Sequence, residues 1–224
     1  MGDWIKLTAS DGHTFDAWKA EPAGKPKGAV VVIMEIFGVN SHIREVAEGY
    51  ARDGYLAIAP AIYDRIEPRL ECGYTPDEIA KARDWRAACD LDKVILDVEA
   101  AADEAGKAGK VGIVGYCWGG SIVYVSCCRL ADKIAAGSGY YGGQILPHLG
   151  ESVGAPLQLH FGEKDAGIPL ADVEQIRTAK PEVEVFIYEG ADHGFNCDHR
   201  GSWNKSSAAT AKERTLAHFA RHVG

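Results

Sequence analysis

Apolar residues recur along the chain in six short runs, at 29–34, 56–59, 111–114, 134–140, 156–161 and 183–188, with stretches of helical length between them. Most of the runs are continuous rather than alternating, as strands covered on both faces of a mainly parallel sheet require. Ser41 and Glu45 open a helix ending near Gly54, although their spacing is one residue longer than a capping box. A longer helical stretch runs from Pro76 to about Gly106 with a break near Asp90, and a final helix is predicted over 208–223. At the front, Asp11-Gly12 separates two alternating segments, 4–7 and 14–19, which predicts a hairpin at a sheet edge. The order implies an α/β fold: a mostly parallel central sheet flanked by helices, with ligand chemistry at the carboxyl ends of its strands. No repeat, low-complexity tract or linker interrupts the pattern, so residues 1–224 are expected to form a single domain.

Charge narrows the partners. A formal net charge of -8 and the absence of a Lys/Arg cluster argue against a nucleic-acid surface, leaving small molecules as the expected ligands. The first residues, Met1-Gly2-Asp3-Trp4-Ile5-Lys6, lack an apolar signal region, and no run approaches the length of a membrane span. No membrane partner is expected, and the expected location is the cytoplasm, where the Asn204-Lys205-Ser206 sequon has no consequence. The six cysteines show no C-x-x-C pair and no zinc-site spacing, so they read as free thiols, with Cys127 and Cys128 as small core hydrophobes. The oligomeric state is left as monomer or small homo-oligomer.

Against that background one cysteine stands apart. Gly115-Tyr116-Cys117-Trp118-Gly119-Gly120 joins the apolar run at 111–114 to a helical stretch, and glycines lie two residues to either side of Cys117. This is the G-x-S-x-G nucleophile elbow with sulfur in place of oxygen. A nucleophile in this setting needs a base and a group that orients the base, and α/β-hydrolases carry them in the order nucleophile, acid, histidine. Asp165, just beyond the run at 156–161, is the acid, and His193, in the loop after the last run, is the base. Asp172 is the weaker substitute for the acid; Asp192 is too close to His193 to bond its ring. His199 is the weaker base, and His160 falls inside a strand and packs there. Glu35 directly follows the first run, where a buried carboxylate needs a partner, either the Cys117 thiol or an arginine. The backbone N–H groups of Ile36 and Trp118 then form the oxyanion hole.

Met34-Glu35-Ile36-Phe37-Gly38-Val39-Asn40, the Cys117 elbow and Asp192-His193-Gly194-Phe195 together resemble the dienelactone hydrolase family over essentially the whole chain. The resemblance implies an α/β-hydrolase fold, lactone hydrolysis of the carboxymethylenebutenolidase type, and a triad of Cys117, Asp165 and His193. It further implies that Glu35 interacts with the thiol and controls its ionisation. Neither metal nor organic cofactor is required. The family's dienelactone-cleaving members hold the substrate carboxylate with arginines, one of them four residues beyond the histidine, where this chain has Cys197. Lys81, Arg83 and Arg200 are the replacement cations. Two other readings keep the elbow: a thioesterase or acyltransferase on the same triad, and a redox-sensing thiol protein. Whether Trp118, Tyr74, Trp85 and Phe37 line a pocket or fill the core is open.

Overall fold

The computed structural model describes residues 2–224. It opens with the expected hairpin, β1 (Asp3–Thr8) paired antiparallel with β2 (Thr14–Ala20). Leu7 and Phe15 face each other across the pair and both are buried, so the alternation gives the hairpin one core face. The six apolar runs become β3 (Ala29–Ile33), β4 (Leu56–Pro60), β5 (Val111–Tyr116), β6 (Ala136–Tyr140), β7 (Leu157–Gly162) and β8 (Glu184–Tyr188). All eight strands join one sheet in the order β1-β2-β4-β3-β5-β6-β7-β8. Pairing is parallel from β4 across to β8, and β2 meets β4 antiparallel. Every residue of β3 to β7 is buried, the condition that unbroken apolar runs satisfy.

Among the described residues six α-helices flank the sheet: α1 (Ser41–Arg52), α2 (Pro76–Ala87), α3 (Leu91–Gly106), α4 (Trp118–Arg129), α5 (Leu170–Ala179) and α6 (Lys205–His222). The break near Asp90 is real, because the Asp90 carboxylate accepts from the N–H groups of Asp92 and Lys93 and starts α3 afresh. Two expected starts shift. Asn40, not Ser41, caps α1, its Oδ1 accepting from Ile43 N at 3.2 Å. The last helix begins at Lys205 rather than 208 because Asn204 accepts from Ser207 N at 3.1 Å. Among the described residues no helix is long and apolar enough to cross a membrane.

Strand order sets the place of the chemistry. From β3 the chain steps one way to β4, then crosses back to β5 on the other side of β3, so the sheet's direction of growth reverses there. The loops leaving β3 and β5 diverge at this point and open a crevice above the carboxyl edge. Glu35 and Ile36 leave β3 on one side of it, and Cys117 leaves β5 on the other.

Candidate active site

Cys117 sits between β5 and α4 with φ 55° and ψ -120°, a left-handed conformation that costs a residue bearing a Cβ about 1–3 kcal/mol. The surroundings enforce it. Cys117 N donates to Tyr140 O at 3.0 Å, and Cys117 O accepts from Gly120 N at 2.9 Å. A Cβ on Gly115 would lie 2.3 Å from Gly119 O, and one on Gly119 would lie 2.5 Å from Met34 O, so the elbow closes only with glycine at both positions.

His193 brings Nε2 to 3.1 Å from Cys117 Sγ, and its Nδ1–H donates to Asp165 Oδ2 at 2.7 Å. Asp165 is buried, and its other oxygen accepts from Gly167 N at 2.9 Å, so neither oxygen is idle. Tyr141 meets the imidazole edge-on with centroids 5.1 Å apart and limits its tilt. Burial disfavours a charged ring, but hydrogen bonds and attraction from Asp165 and Cys117 outweigh it, and His193 is pushed up to about 10.

The alternatives lie elsewhere. Asp192 accepts from the His193 backbone N–H, not from its ring, and Asp172 sits half-buried in the first turn of α5. His199 pairs with Glu45 at 3.0 Å. His160 is fully buried in β7, bonded to Ser138 and Tyr188, and burial depresses it to about 3, which keeps it a neutral packing residue.

The amides of Ile36 and Trp118 have no hydrogen-bond partner among the described residues. Tyr63, beyond β4, ties their two loops together: its hydroxyl donates to Ile36 O at 2.9 Å, and its ring stacks on Trp118 at 5.8 Å. The sequence reading missed Tyr63, and only its aromatic character among smaller neighbours hints at it.

Glu35 is buried and accepts from Arg200 Nη1 at 3.3 Å through Oε1. Among the described residues Glu35 makes no hydrogen bond to the thiol that the resemblance implies as its partner: His193 holds Cys117 Sγ, while Arg200 reaches Glu35 from the loop before α6. Arg200 lies over the rings of Phe37 and Tyr74, at 5.6 and 5.8 Å from their centroids. Those two rings therefore hold the arginine in place.

Lys81 and Arg83 require correction. Each lies about 100° around α2 from buried Ala82, on opposite sides, and both point to solvent. Arg86 is the α2 cation that reaches a cavity, one of about 530 Å³ beside the elbow, walled also by Cys89, Trp118, Ser121, Gln144 and Leu146. Arg86 donates to Gln144 Oε1 and has no carboxylate partner among the described residues. Trp118 thus both packs on the core and lines the cavity, whereas Phe37 is core.

The Dienelactone hydrolase family model matches residues 15–223. The chain is 41% identical over 210 residues to the "Putative carboxymethylenebutenolidase" of Synechocystis sp., covering 85% of this chain and 84% of that protein. It is 32% identical over 227 residues to the carboxymethylenebutenolidase of Pseudomonas putida, covering 96% and 95%. Among solved structures, a "Putative Dienelactone Hydrolase" from Klebsiella pneumoniae superposes with a TM-score of 0.84 at 30% identity, over 98% of this chain and 100% of that one. With an eight-stranded, mostly parallel sheet, a cysteine elbow at its switch point and these relatives along nearly its full length, the chain is an α/β hydrolase that belongs to the dienelactone hydrolase family.

Proposed function

We propose that this protein hydrolyses small lactones or activated esters through an acyl-enzyme on Cys117, with His193 as base and Asp165 orienting it. The observation that carries the reading is the unbroken relay at the elbow, Sγ to Nε2 at 3.1 Å and Nδ1 to Oδ2 at 2.7 Å. Pushed up by Asp165 and Cys117, His193 already holds the proton that Cys117 gives up, and the thiolate of this ion pair adds to the substrate carbonyl. The developing oxyanion accepts from the free amides of Ile36 and Trp118, whose spacing Tyr63 maintains. Collapse breaks the ring C–O bond, and the leaving oxygen takes the proton from His193 Nε2. Water then attacks the thioester while giving a proton to His193, and the tetrahedral species expels the Cys117 thiolate with release of the acid.

Sulfur favours a particular substrate. A thiolate is a better leaving group than a simple alkoxide, so collapse of a plain ester intermediate returns to reactants. An enol lactone departs as a stabilised enolate and carries the reaction forward. Glu35, held by Arg200 in the resting geometry, is the second carboxylate available to promote thiol ionisation. Arg86, on the cavity beside Trp118, is the cation best placed for a substrate carboxylate, in place of Lys81 and Arg83.

The test is loss of dienelactone absorbance at neutral pH under the wild-type protein and Cys117→Ala at equal concentration, beside an enol ester without a carboxylate. Turnover of either substrate by the wild type alone supports the reading. Equal rates for both proteins, or none for either substrate, contradict it.

A further inference from the structure

A second cluster of chemically capable side chains lies beside the triad, and two of its three members, His42 and Cys197, take no part in the proposed reaction. Glu35, His42 and Cys197, from the β3 loop, α1 and the loop before α6, are all buried, and each brings one ligand atom to within 4.8 Å of the other two. Two of their polar atoms stand without a partner among the described residues: Glu35 Oε2 and His42 Nε2, on residues only 1% and 3% exposed. Leaving a buried polar atom unpaired costs about 1–3 kcal/mol, so two in one place point to a missing partner. His42 turns its other nitrogen, Nδ1, toward Asp198 Oδ1 at 3.4 Å, the carboxylate–histidine arrangement that orients metal-binding imidazoles.

We propose that Glu35, His42 and Cys197 form a binding site for a divalent ion of the zinc class. One thiolate, one imidazole and one carboxylate is a donor set suited to zinc and disfavoured by calcium and magnesium, which take oxygen. Zinc bonds of about 2.0–2.3 Å place tetrahedral donors roughly 3.3–3.7 Å apart, so small side-chain rotations close the site. Three protein donors leave the fourth position to water. Binding forms the metal–sulfur bond as the Cys197 Sγ–H proton leaves to solvent, and the carboxylate and thiolate together neutralise the ion. An approach from the surface exists: His42, Asp198 and His199 also bring ligand atoms within 4.8 Å of one another, and the last two are exposed. Occupancy engages both oxygens of Glu35, one on the ion and one on Arg200. Glu35 is shared with the lactonase reading, whereas the metal-binding test does not depend on that reading.

Cobalt(II) titrated into full-length Cys117→Ala protein tests it, since that variant removes the competing Cys117–His193 pair. The expected result is one equivalent bound at low-micromolar concentration, with a thiolate-to-cobalt charge-transfer band and release of about one proton. Cys197→Ser should abolish the band. Asp198→Asn, at an exposed position, should weaken binding about 10- to 100-fold while the protein stays folded. X-ray absorption on the zinc-loaded protein should show one sulfur and one imidazole in the coordination shell. No charge-transfer band, a shell of oxygen and nitrogen alone, or unchanged affinity in Asp198→Asn would overturn the proposal.

Discussion

Two polar clusters share the carboxyl edge of the sheet and differ in how completely they are satisfied. In Cys117–His193–Asp165 each polar atom has a partner, down to the Asp165 oxygen that accepts from Gly167 N. In Glu35–Arg200–His42–Cys197, Glu35 Oε2 and His42 Nε2 are buried with none among the described residues. A satisfied network fixes its members in one geometry, which suits a reaction that needs atoms aligned before substrate arrives. The unsatisfied one holds polar groups ready for a partner that comes and goes. Both clusters draw on loops at the same edge, so the difference lies in the residues rather than in the fold.

The largest expected effects fall on the satisfied cluster. Cys117→Ala should abolish turnover, and Asp165→Asn should lower kcat on the order of 10³- to 10⁴-fold with KM little changed, as steady-state kinetics will show. An asymmetry should appear in the other cluster. Arg200→Met leaves the fully buried Glu35 carboxylate without its cation and should cost about 3–5 kcal/mol in denaturant unfolding. Glu35→Gln should cost less, because the Arg200 side chain, 19% exposed, can still reach water. Equal losses in the two variants would remove the distinction.

Next is the elbow that both clusters border. Gly119→Ala places a Cβ against the carbonyl oxygens of Met34 and Ile33, at 2.5 and 2.6 Å, and should lower stability by about 1–3 kcal/mol by calorimetry. A pH dependence follows as well. His193 is raised from the ordinary 6.5 to about 10 in the folded protein, so its stabilising contribution is full below 6.5 and is lost as pH rises through 10. Nitrogen-resolved NMR should find the ring protonated through pH 8, and Asp165→Asn should bring its titration down toward the ordinary range.

What could be read from the sequence was local. Continuous apolar runs located six strands, and glycines flanking Cys117 identified the elbow, because a strained turn leaves its requirement in adjacent residues. Adjacent cap formers misled: Asn40 and Ser41 are both good caps, and spacing alone pointed to the wrong one. Only Ala82 of α2 is buried, so α2 has too faint an apolar stripe to show that Arg86, not Lys81 or Arg83, faces inward. Local sequence does not decide between a thiol and an arginine for Glu35, because its partner Arg200 is 165 residues away. The Glu35–His42–Cys197 cluster was invisible for the same reason, since metal motifs are recognised by short spacings and this one is assembled by the fold.

The central claim is that Cys117 forms an acyl-enzyme under the control of His193. Rapid-quench mass spectrometry of the intact protein, mixed with an activated enol ester and followed by peptide mapping, tests it most directly. The account predicts a transient adduct of acyl mass on the Cys117 peptide, rising within the first turnover and persisting when His193→Ala slows deacylation. Turnover with no adduct, or an adduct on any other residue, would contradict it.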